Sequence, residues 1–230
     1  MGESEISAAG DRAGTYRFFA NLCLKPPSDS LVDMIRDRSI LSALQENGER
    51  RADLRWLPEF VEQAERIPNI KDELEAEHAA LFVLPSGVLP HEAVYLDREK
   101  RLGGKTTMGV RQFYENAGVD VLDDCIEMPD HIGMELDFMG FLCTMEKKLR
   151  ENADQPSLRT CIEFQKTFLE EHLSKWAYQC CEEITRHATY GFYKAVAHFI
   201  MEFLRCEEEY IAGLYAKVCR EGENICEAII

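Results

Sequence analysis

An all-α fold, a helical bundle of about eight to ten helices, is what this sequence predicts. Two observations carry that expectation. Apolar residues recur at three- and four-residue spacing along most of the 230 residues, and no stretch alternates convincingly with period two. A hydrophobic content of 46% is enough to bury a sizeable core. That core would serve one all-helical domain over residues 1–230. Two helical halves, 1–117 and 130–230, joined by a hinge at 118–129, are the alternative division.

The elements follow in order. Tyr16, Phe19, Leu22 and Cys23 form an apolar stripe that Pro26 and Pro27 end. Ser28 or Asp29 then caps a helix with Leu31, Ile35 and Leu41 or Leu44 inward. Leu57, Phe60, Val61 and Ala64 mark a third helix. Ile70, Leu74, His78, Leu81 and Phe82 mark a fourth, stopped by Pro85. Residues 85–104, with three glycines and two prolines, read as a long loop, and loops of that length inside a helical domain are usually functional. Val110, Phe113, Tyr114 and Ala117 restore the helical period, and Gly118 stands where a left-handed C-cap belongs. Pro129-Asp130 opens a helix to about Leu149, with Ile132, Leu136, Met139 and Cys143 inward. Pro156 sits in the first turn of the next, which carries Leu158, Cys161, Phe164 and Phe168. A helix through Trp176 and Ile184 follows, and a last one runs from about Phe192 past Leu214.

The formal net charge of −16 excludes several partners. Nucleic acid and an anionic membrane surface both need clustered Lys and Arg, whereas this field attracts a cationic peptide or protein. No apolar run reaches membrane-spanning length, so direct membrane insertion is not expected. The nine cysteines form no CxxC pair, and the N-terminal residues show no signal-peptide pattern. Both point to a reducing, cytoplasmic location, with Cys143, Cys161 and Cys206 as small apolar side chains on helix faces.

Three candidate chemistries fail on spacing. Gly104-Lys105-Thr106 looks like the end of a phosphate-binding loop, but Glu99 stands where the first glycine is needed. Neither a nucleophile elbow nor a catalytic cysteine signature is present, so no catalytic residue and no cofactor is expected. Glu75 and His78 have the Glu-x-x-His spacing of carboxylate-bridged bundles, and His131 and Glu135 lie four apart. A second Glu-x-x-His motif is missing. A carboxylate/histidine metal-binding bundle therefore stands as the alternative, with His78 read as a core histidine.

A binding surface is the remaining reading. Residues 112–146 carry nine acidic side chains and no Lys or Arg. Within them Pro129, Asp130 and His131 begin a helix, with Asp130 at its cap and His131 turned away from the inward Ile132. Glu135 and Asp137 extend the negative surface, and Pro90, Glu92, Val94 and Tyr95 add an acid and an aromatic from the long loop. Such carboxylates suit guanidinium groups, which pair with them in a bidentate geometry.

The same segments resemble the TorD/DmsD family of molybdoenzyme maturation chaperones. The resemblance lies in Glu77-His78-Ala79-Ala80-Leu81-Phe82, Pro90-His91-Glu92-Ala93-Val94-Tyr95, Pro129-Asp130-His131 and Glu135-Leu136-Asp137-Phe138-Met139. It continues in His172-Leu173 with Trp176 and in Phe192-Tyr193, and so covers roughly residues 15 to 210. It implies an all-helical cytosolic chaperone that binds the twin-arginine signal peptide and the apo form of a molybdopterin-dependent reductase. Such a protein assists cofactor insertion and proofreads export. Carried over residue by residue, it points to Asp130, His131, Pro90, Val94 and Tyr95 as client-recognising, with Leu81 and Phe82 as apolar neighbours. The sequence departs from the family pattern at His91, where an aromatic is common, and at Ala93, where a serine is. The resemblance also implies a monomer or a dimer that exchanges halves at 118–129.

Overall fold

The computed structural model describes residues 2–37, 56–120 and 127–227, and among them there is no β-strand. Leu41, Leu44 and half of the expected hinge, residues 121–126, lie outside the described residues.

Helix α1 (Glu3–Leu24) starts with Glu3 and Glu5, acids that favour the positive end of the helix dipole. Among larger residues such as Tyr16 and Phe19, its inward face includes the small Ala9, Ala13 and Ala20. That choice lets α1 lie close along α7 (Ile132–Glu151), which supplies Gly133 and Gly140 at the contact. A Cβ on Gly133 would stand 2.5 Å from Leu24 Cγ, and one on Gly140 would meet Arg17 Cγ at 3.0 Å. Helix α2 (Asp29–Arg36) is capped by Ser28, whose hydroxyl accepts from the Leu31 N–H at 3.3 Å. Helix α3 (Trp56–Arg66) buries Leu57, Phe60, Val61 and Ala64.

Helix α4 (Ile70–His78) runs into a π turn over Ala79–Val83. The chain from Pro85 to Gly104 then crosses the molecule as a strap. The sequence predicts no secondary structure there, but the strap contains one short helix, α5 (Glu92–Leu96). Helix α6 (Lys105–Asn116) ends as expected, with Gly118 at φ +77°. Helix α8 (Gln155–Phe168) is capped by Asp154, continues through a second π turn (Leu169–Leu173) and leads into α9 (Ser174–His187). The last helix, α10 (Gly191–Glu227), is 37 residues long.

One core unites both sides of the 118–129 segment, joining Tyr16, Leu74 and Tyr114 to Ile132, Phe168 and Trp176. A smaller cluster of Leu158, Ile162, Leu214 and Val218 ties α8 to α10. Between the two lies buried charge that helical periodicity does not reveal. The Arg12 guanidinium donates to Glu207, to Glu146 at 2.8 Å and to Gln165 at 2.7 Å. Arg150 adds a second cation on Glu146 and reaches Glu5. Four helices (α1, α7, α8 and α10) thus meet on one hydrogen-bonded network, the condition under which buried charge is tolerated. Cys143 and Cys161 are buried free thiols as expected, whereas Cys206 is exposed. Among the described residues no helix is long and apolar enough to cross a membrane.

Candidate functional site

The expected arrangement at the start of α7 is inverted. His131, not Asp130, is the N-cap, and its Nδ1 accepts from the Gly133 N–H at 3.0 Å. The Asp130 carboxylate turns to the strap instead. Its Oδ2 accepts from the backbone N–H of Ala93 at 3.2 Å, in the first turn of α5, and from the Thr107 hydroxyl at 3.0 Å. The backbones join there as well. The Glu92 N–H donates to Asp130 O at 2.8 Å and the Ile132 N–H to Pro90 O at 2.9 Å, an isolated antiparallel bridge pairing His91 with His131. Pro129 O accepts from the Tyr114 hydroxyl at 2.8 Å. Asp130 is 0% exposed and His131 1%, so the pair that the sequence placed on an open acidic surface is enclosed. Asp130 acts as a clasp that holds the strap to α7.

Glu135 is likewise buried rather than part of the surface, which on this helix is carried by Asp137. The Trp176 indole N–H donates to its Oε2 at 3.1 Å. Burial, and then the neighbouring Glu92 carboxyl, push the Glu135 carboxyl well above the usual range. Glu92, from α5, has both oxygens within 3.2 Å of His172 Nδ1. Tyr95 lies with its ring 5.4 Å from Trp176. Burial and the adjacent His91 drive His131 down to about 3, so its imidazole is neutral. Burial opposes the charge on Asp130, but nearby His91, the Ala93 N–H and Thr107 together hold its carboxyl below the ordinary value. The His91 Nδ1 stands 3.8 Å from Asp130 Oδ1, beyond hydrogen-bond reach.

Above this enclosed layer stands a carboxylate that the sequence reading assigned to hinge and solvated surface. Glu127, its side chain 36% exposed, approaches His131 Nε2 at 3.6 Å. Burial and the Asp130 charge raise its carboxyl, with His91 opposing. It is a partly exposed acid set against two histidines, His131 and His91. The signal was available: Glu127 lies four residues before His131, the spacing read forward to Glu135 but not backward.

The structure thus brings Pro90, Glu92, Val94, Tyr95, Pro129, Asp130, His131 and Glu135 together where the strap meets α7 and α9. Leu81 and Phe82 do not line that site. Both are buried at the root of the strap, Phe82 against His78 and Tyr193. Seven of the ten large apolar side chains exposed among the described residues, Leu89 and Met128 included, fall between Val83 and Met128. The strap and its flanks therefore carry most of the large apolar side chains exposed among the described residues, and Met128 directly follows Glu127 in the chain. A separate apolar groove of about 240 Å³ lies between α1, α2, α3 and α10, lined by Phe18, Leu22, Leu31, Leu57 and Phe199, and it includes none of the expected residues.

The metal alternative loses its geometric basis. Glu75 is at the surface 3.7 Å from Lys71, while His78 is buried with Nε2 3.2 Å from Cys23 O, so the two do not converge. No cluster of three or more His, Cys, Asp or Glu among the described residues could hold a metal ion.

The family model described as nitrate reductase delta subunit matches residues 47–182. Chaperone protein TorD of Aliivibrio salmonicida is 27% identical over 178 residues, 76% of this chain and 81% of that protein. Chaperone protein TorD of Vibrio parahaemolyticus is 25% identical over 215 residues, 91% of this chain and 99% of its own length. That of Vibrio cholerae is 25% identical over 209 residues, covering 89% and 93%.

Proposed function

The chain belongs to the nitrate reductase delta subunit family, and from that premise we propose that it binds the twin-arginine signal peptide and the apo form of a molybdopterin-dependent reductase in the cytoplasm. It is a maturation chaperone and not an enzyme, in keeping with its relatives. Holding the apoenzyme until its cofactor is inserted, and so delaying export, is the role this reading assigns.

The observation that carries the proposal is Glu127 above the clasped strap. It is an accessible carboxylate with a raised proton affinity, backed by the buried charge of Asp130 and followed in the chain by the exposed Met128. A guanidinium is the ligand that such a carboxylate lacks, and the apolar margin suits the stretch that follows the arginines in a signal peptide. Asp130, His131, Glu92 and Glu135 act in this reading as the floor that fixes the strap. Glu127, Val94 and Tyr95 touch the client. The chain is proposed to be a monomer or a dimer that exchanges halves at a hinge in 118–129, and light scattering of the purified chain tells monomer from dimer.

Calorimetry with a synthetic twin-arginine peptide tests the binding reading. The chain should bind it, and Glu127→Gln or replacement of both peptide arginines by glutamine should each weaken binding. Equal affinity for the glutamine peptide would overturn the proposal.

A further inference from the structure

We propose that one of the client's two arginines is received in the cleft between the strap and α9, paired with Glu183 and laid against Tyr95, and that Lys100 guards this cleft. The inference builds on the peptide-binding reading above and gives it a second contact.

The cleft, about 260 Å³, is the size of one long side chain and not of a whole ligand. Leu89 and Val94 form an apolar wall from the strap, and Gln179, Glu183 and His187 form the opposite wall from α9. These three are spaced four apart, so one face of α9 looks onto the strap. An arginine suits this division, with its aliphatic stem on the apolar wall and its guanidinium at the carboxylate.

Glu183 is available for exchange. Its side chain is 34% exposed, and its partners are Arg186 and His187 on its own helix. Surface pairs of this kind contribute only about 0–1 kcal/mol, so an incoming guanidinium can replace them. Tyr95 is fixed beneath it. Its ring rests 5.4 Å from Trp176 on one side, and the part of it that lines the cleft is placed to meet a cation.

Lys100 is the one lysine or arginine lining the cleft, and it holds a left-handed backbone at φ 50°. No ion pair among the described residues ties it down. A lysine placed there repels a second cation, so it acts against arginine and selects for peptides that bind well enough to displace it.

Peptide calorimetry on the full chain separates these roles, using the native twin-arginine peptide and two forms with each arginine replaced singly by glutamine. E183Q should weaken the native peptide about fivefold, the scale of a partly exposed charge pair, and K100A should tighten it about twofold. The loss from E183Q should vanish with one of the two singly replaced peptides, the one that lacks the received arginine. If E183Q binds all three peptides as the unmodified chain does, or weakens all three equally, the cleft assignment is wrong while peptide binding stands. If the unmodified chain binds no peptide, both readings fall together. Glu183 and Lys100 are surface side chains, so neither variant endangers folding.

Discussion

The Asp130 carboxylate accepts from the backbone N–H of Ala93 at 3.2 Å, so an acid at the start of one helix caps the short helix of the strap that crosses it. Ala93 and Thr107 both depend on that single oxygen. Asp130→Ala leaves a buried N–H and a buried hydroxyl unpaired, and a loss of about 1–3 kcal/mol in urea unfolding is expected. Peptide affinity should fall with it, because the strap carries Val94 and Tyr95. Glu127→Gln, which leaves the clasp intact, should lower affinity without moving the unfolding midpoint.

The pH dependence of stability has a definite sign at His131. Its folded-state value is depressed to about 3, against about 6.5 for the unfolded chain. The unfolded state therefore binds the extra proton between those limits. The contribution is fully present above about 6.5 and is lost as pH falls toward 3. Asp130, also depressed, adds to the loss at the acid end. His131→Asn can keep a side-chain acceptor for the Gly133 N–H without the titration, and should flatten the decline in unfolding midpoint below pH 6.5.

Glu135 has the opposite sign. Its folded-state carboxyl is raised well above the ordinary value, so the folded protein is the form that holds the proton. Its contribution is fully present below the unfolded carboxyl range and is lost as pH rises through the folded value. Glu135→Gln keeps an acceptor for Trp176 and cannot ionise. Its midpoint should exceed that of the unmodified chain at alkaline pH, and the advantage should shrink on acidification.

Close approach of α1 and α7 gives a packing prediction. Gly133→Ala improves helix propensity by about 1 kcal/mol. Its new methyl nevertheless meets Leu24 Cγ at 2.5 Å and Ala20 O at 3.2 Å. Overpacking of this kind costs about 1–3 kcal/mol, so thermal unfolding should show net destabilisation. Gly140→Ala, facing the flexible Arg17 stem at 3.0 Å, should lose less.

The Arg12 network should respond more strongly. Arg12→Leu leaves Glu207 buried without its cation and Glu146 with Arg150 alone, and removing one partner of such a group costs about 3–5 kcal/mol. Denaturant unfolding of Arg12→Leu beside the triple change Arg12→Leu, Glu146→Gln, Glu207→Gln should show recovery of part of that loss.

Helices were legible wherever one face is apolar and the ends carry their own chemistry. Pro26-Pro27, Ser28, Pro156 and Gly118 all stop or start helices where the sequence indicates. The segments that build the site were also legible, because Pro90–Tyr95 and Pro129–Glu135 stand out from the helical period. Their burial was not. Whether Asp130 faces water depends on a strap 37 residues away in sequence that folds over it, and local spacing contains no such term. Arg12 escaped for the same reason, since its partners lie 134 and 195 residues along the chain. The π turns at Ala79–Val83 and Leu169–Leu173 were missed because one extra residue shifts the period without breaking it. The second of these precedes α9 and carries His172, which meets Glu92.

Because Asp130 is both the clasp of the strap and the neighbour of Glu127, damage there acts through the amount of folded chaperone in the cell as well as through its grip on a client. A shift of one or two kcal/mol changes steady-state abundance several-fold once proteases remove the unfolded fraction. A genetic screen scored by reductase export will therefore rank Asp130 above Glu127 and Glu183 even where the latter two make the direct contacts. Normalising export to the level of soluble chaperone reverses that order.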